Sequence, residues 1–119
     1  MTPNTWKIRA KKASRPVYSD PIQMRAGDLV ELVGNEDDGW NWCRHSGGKE
    51  GWVPLAYLSS GGEGNTRMAL CDYEATELPV EVGEEFEAVR EEHGWVWCTN
   101  TQGKWGWVRL ANVERIDED

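Results

Sequence analysis

Short runs of alternating apolar and polar residues, broken every few positions by turn formers, dominate this chain. Leu29-Val30-Glu31-Leu32-Val33 alternates in part and is rich in β-formers. Trp40 to Arg44 alternates strictly, which puts Trp40 and Trp42 on one face of a strand and Asn41 and Cys43 on the other. Between these runs, Asn35-Glu36-Asp37-Asp38-Gly39 has turn chemistry, and Ser46-Gly47-Gly48-Lys49 predicts a tight hairpin. Gly51-Trp52-Val53 resumes a strand, and Pro54 ends its ladder because it has no N–H to donate. No stretch has the period of a long amphipathic helix. The pattern predicts an all-β chain built as a small barrel or sandwich.

The pattern also repeats. Shifted by 55 residues, Gly39-Trp40-Asn41-Trp42-Cys43 falls on Gly94-Trp95-Val96-Trp97-Cys98, and Gly51-Trp52-Val53 falls on Gly106-Trp107-Val108; residues 39–58 give 11 identities in 20 positions. Upstream the shift is 56, with Gly27-Asp28 on Gly83-Glu84, as a loop-length difference of one residue would produce. The expected division is one unit over 1–59, a linker over 60–65 of spacer-like Gly/Ser composition, and a second unit over 66–119.

Composition changes the picture in three ways. Eight tryptophans in 119 residues, six of them in matched pairs (40/95, 42/97, 52/107), are one motif used twice. The first 60 residues carry a net charge of +1 and the remainder −9, a field that disfavours nucleic acid on the second copy, although Lys7, Arg9, Lys11, Lys12 and Arg15 precede any acid. Three cysteines, an odd count with no secretory leader read at the start, are expected as free thiols in a reducing, cytoplasmic setting. No apolar run approaches the ~20 residues of a membrane-spanning helix, so neither membrane nor nucleic-acid partners are expected.

Each copy resembles a Src homology 3 domain, the bacterial variant type arranged in tandem. Ala69-Leu70-Cys71-Asp72-Tyr73 is similar to the family's Ala-Leu-Tyr-Asp-Tyr signature, and Gly51-Trp52-Val53-Pro54-Leu55-Ala56-Tyr57-Leu58 is similar to its closing strand and turn. The resemblance implies two five-stranded β-barrels and a non-catalytic function: binding a proline-rich or other peptide segment of a partner protein on an aromatic groove. Such a segment has a pre-set backbone and packs its rings between flat aromatic ridges. In the first copy the resemblance assigns the groove to Trp40, Trp52, Pro54 and Tyr57, with Tyr18 filling in from the long loop. Glu36, Asp37 and Asp38 would meet a basic residue of the peptide. In the second copy only Tyr73, Trp95 and Trp107 remain, because Cys71, Arg109 and Asn112 replace groove residues. The first copy in turn has Ala10-Lys11-Lys12-Ala13-Ser14 where the tyrosine-bearing signature belongs.

Competing readings are few. Trp42 and Trp97 either form a second contact surface or lie over their own sheets. Cys43 and His45 supply at most two of the four ligands a structural zinc needs, so no metal or other cofactor is expected. No nucleophile–base pair, phosphate loop or carboxylate pair points to an enzyme. The alternative function is structural: two barrels, or a barrel and a partner subunit, packing through the tryptophans, with cell-wall peptide binding a further option.

Overall fold

The computed structural model describes residues 4–16 and 20–116. Eleven strands follow in order: β1 (Trp6–Ala10), β2 (Gln23–Met24), β3 (Leu29–Asp37), β4 (Trp40–His45), β5 (Glu50–Pro54), β6 (Thr66–Met68), β7 (Tyr73–Glu74), β8 (Glu85–Glu92), β9 (Trp95–Thr99), β10 (Trp105–Arg109) and β11 (Val113–Ile116). Short 3-10 turns at Leu55–Tyr57 and Leu110–Asn112 follow β5 and β10. The chain is all-β, as the alternation predicts. No helix among the described residues is long and apolar enough to cross a membrane.

The strands of the two sequence copies exchange partners. β1, which opens the first copy, lies between β8 and β11 of the second, in the sheet order β10-β9-β8-β1-β11. β6, which opens the second copy, lies beside β3 of the first, in the order β5-β4-β3-β6, and Leu58 bridges to Ala69 on its other side. The chain therefore divides into a contiguous barrel, Tyr18–Thr76, and a split barrel, Met1–Val17 with Glu77–Asp119. The expected boundaries at 1–59 and 66–119 follow the repeat in sequence but do not coincide with these compact units.

A physical reason lies in the segment between the copies. The last strand of such a barrel runs antiparallel to its first, so a short connection can join them as a hairpin at little closure entropy. Residues 59–65 do this rather than act as a spacer. The Ser59 N–H donates to the Met68 carbonyl (2.8 Å), the Met68 N–H donates to Ser59 Oγ (3.0 Å), and Thr66 N–H closes a turn on Glu63 (2.9 Å). Gly62 is required there, since a Cβ would run into the Thr66 carbonyl oxygen.

Each barrel has its own apolar interior. Ile22, Met24, Val30, Cys43, Val53, Leu58 and Ala69 are buried in the contiguous one. Ile8, Ala10, Leu78, Val80, Phe86, Ala88, Val96, Cys98, Val108 and Val113 form the core of the split one. The acidic segment expected as a loop is mostly strand: β3 runs to Asp37, and only Asp38-Gly39 turns, both at positive φ (51° and 87°). His93-Gly94 repeats that two-residue turn (39° and 89°). Before the first turn β3 bulges between Leu32 and Glu36, and the buried Asn41 holds the bulge by donating from Nδ2 to the Gly34 carbonyl (2.9 Å).

Candidate peptide groove

Strand exchange decides which residues share a barrel. In the contiguous barrel the Ala69 N–H donates to the Asp28 carbonyl and the Ala69 carbonyl accepts from the Gly27 N–H; in the split barrel Ala10 makes the same pair of bonds with Glu84 and Gly83. Ala69 and Ala10 are thus equivalent, and so are Cys71 with Lys12 and Tyr73 with Ser14. The tyrosine-bearing arm that the first copy lacks is supplied by the second. Tyr73, assigned from sequence to the second barrel's groove, instead faces Tyr57 of the first copy at 5.6 Å between ring centroids, edge to face. Its hydroxyl donates to the Trp52 carbonyl at 2.7 Å.

The remaining residues of the first-copy set fall in the same barrel. Trp40 pairs with Pro54 across β4 and β5, and Asp37 pairs with Trp40 across the turn. This places the acidic tip, with Glu36, Asp37 and Asp38 all exposed, beside the tryptophan. Exposure among the rings is uneven: Trp52 is 41% exposed, whereas Trp40, Tyr57 and Tyr73 are 7%, 9% and 7% and Pro54 is buried. The floor is therefore packed, and its accessible ring is Trp52. Cys71, in place of the first signature tyrosine, is partly exposed. Tyr18 lies outside the described residues.

Charge also regroups. By sequence copy the acidity belongs to the second half; by compact unit the contiguous barrel carries four Lys/Arg against ten Asp/Glu, a net of −6, and the split barrel −2. The aromatic set and the acidic field thus coincide, which favours a basic ligand.

Outside the groove, Trp42 and Trp97 lie over their own sheets. Trp42 packs edge to face on Trp52 (5.5 Å) and donates from Nε1 to Glu50 (2.6 Å). That bond, and then the one from Arg44, hold the Glu50 carboxyl below its usual range. Trp97 lies between Trp105 (6.0 Å) and Trp107 (5.2 Å). Trp107 is only 3% exposed, with Arg90 over its ring, so the second-copy set shrinks to Trp95. Trp95 itself is covered by Arg109, its cross-strand partner, at 4.6 Å.

Cys43 and Cys98 are fully buried, and burial pushes their thiols up to about 11 and about 12, as suits packing rather than nucleophilic chemistry. His45 does not face Cys43 as a co-ligand; its Nε2 lies 2.9 Å from Asp28, a partnership the spacing alone did not reveal. Asp28 also accepts the Arg25 N–H, and these two bonds, the backbone one first, lower its pKa. Met24, Arg25, Asp28, His45, Asp72 and Tyr73 line a cleft of about 490 Å³ in the same barrel.

Two small antiparallel β-barrels with this strand order define the fold class. The profile of the variant SH3 domain family matches residues 7–60 and 68–116, and the chain belongs to that family. Similar stretches occur in myosin-1 of Aspergillus niger (44% identity over 41 residues), myosin-1 of Malassezia globosa (46% over 37) and the human guanine nucleotide exchange factor DBS (49% over 41). Each match covers 31–34% of this chain and only 3–4% of the relative. SH3 domains are protein-interaction modules, and this chain carries two.

Proposed function

We propose that the contiguous barrel binds a peptide segment of a partner protein, one that carries an Arg or Lys beside a proline-rich stretch. A single observation carries this reading: Trp40, Trp52, Pro54 and Tyr57 from one copy and Tyr73 from the other meet in the barrel with a net charge of −6. The exposed Trp52 would supply the stacking face, and Glu36, Asp37 and Asp38 would steer and orient the cation. Titration of the intact protein with such peptides should quench or shift tryptophan fluorescence, weaken with salt, and be lost in Trp40→Ala. A Trp52→Ala variant should lose it with less cost to the packed floor.

The low exposure of Trp40, Tyr57 and Tyr73 favours a second reading, in which these rings serve packing and the protein is a structural or assembly component. No response to any member of a diverse basic, proline-rich library would leave that reading standing.

A further inference from the structure

The split barrel carries the same six groove positions with different chemistry. Where the contiguous barrel has Cys71, Tyr73, Trp40, Trp52, Pro54 and Tyr57, the split barrel has Lys12, Ser14, Trp95, Trp107, Arg109 and Asn112. Two rings survive. Two cations, a hydroxyl and a carboxamide replace the rest.

These groups are neighbours. The N–H groups of Lys11 and Lys12 both donate to the Asn112 carbonyl (2.7 and 3.3 Å), so the first-copy arm runs alongside the 3-10 turn that Arg109 leads into. Arg109 is exposed and lays its guanidinium over the Trp95 indole. A guanidinium resting on a ring can offer two N–H groups to one carboxylate, and the ring contact restricts its rotamers. Lys12 is exposed as well, and residues 4–16 hold five Lys/Arg and no acid. Glu77 is the half-buried carboxyl that feels Arg109; burial raises its pKa and Arg109 lowers it. At the other side Glu91 and Glu92 flank the β8–β9 turn, so an anionic ligand is directed toward the Lys12 end.

We infer that this face of the split barrel docks an acidic peptide segment, with Arg109 gripping a carboxylate, Lys12 adding a second cation and Trp95 providing the apolar bed. The protein then holds two recognition faces of opposite charge preference, made from one motif by exchanging which side chains line it. This inference does not depend on peptide binding by the contiguous barrel.

The test titrates the isotope-labelled full chain with an Asp/Glu-rich peptide and, separately, with an oligothymidylate of similar charge. Expected are shifts of the Trp95 indole and the Lys12 and Arg109 amides. Affinity should fall at least about tenfold in Arg109→Ala and fall again with salt. Arg109→Lys, which keeps the charge but not the fork, should restore binding only in part. No shifts on titration, or equal affinity in Arg109→Ala, would overturn the inference. Tighter binding of the oligonucleotide through the same residues would overturn it in favour of nucleic acid.

Discussion

Replacing Tyr73 with Phe removes a single hydroxyl, the one that donates to the Trp52 carbonyl at 2.7 Å. Loss of one such bond in a packed site costs about 1 kcal/mol. Tyr73→Ala also deletes a ring that is 7% exposed and stacked edge to face on Tyr57, for roughly 3–5 kcal/mol. A barrel spanning 18–76 has a total stability on the order of 3–9 kcal/mol, so the Ala variant approaches unfolding while the Phe variant stays folded. Native-state hydrogen exchange in low urea reads out where the loss falls. Exchange of strands requires that Tyr73→Phe weaken the amides of Val30, Cys43 and Val53, in strands of the first copy. Those of Phe86, Val96 and Val108 should be spared. Loss confined to Phe86, Val96 and Val108, the strands that follow Tyr73 in its own copy, would refute the reasoning.

Other outcomes follow from the same geometry. Gly62→Val should destabilise the contiguous barrel by roughly 1–3 kcal/mol in urea melts, because the Thr66 carbonyl leaves no room for a Cβ. Asp28 has a lowered pKa, so its contribution is present above the unfolded carboxylate value and is lost as pH falls through the folded one. Asp28→Asn should therefore be less stable than the parent at pH 7, with the gap closing below about pH 4. Iodoacetamide should modify Cys71 in the native protein and reach Cys43 and Cys98 only on unfolding, which mass mapping would show. Because the split barrel must close over a 59-residue insertion, unfolding either barrel should lower the stability of the other by the same increment in two-probe melts.

Much of this was legible in the residues. Strict alternation at Trp40–Arg44 gave β4 and the burial of Cys43, and the turn formers gave the hairpins. The repeat gave two modules, and the tryptophans and the closing Pro54–Tyr57 stretch gave most of the aromatic set that the contiguous barrel brings together. Strand pairing was not legible, because both arms carry a buried alanine in the same frame and either fits either barrel. The clue lay in residues 59–65, too short a connection to separate the end of one barrel from the start of the next without inviting a hairpin. Tyr73 changes barrels with that hairpin and the net charge regroups with the exchanged strands, so neither follows the sequence copies. Asn35 to Asp37 read as a turn from composition, yet pairing with β4 across the bulge kept them in strand. The Asp28–His45 contact needed the register of β3 on β4.

Both barrels are built from both copies, and cross-strand proton contacts read this out in solution. Strand exchange predicts nuclear Overhauser contacts between Arg9 and Glu85 and between Leu29 and Met68, the observed Cα partners. Contacts of Arg9 with Leu29 and of Met68 with Glu85 would contradict it, since that is the pairing of two barrels laid end to end.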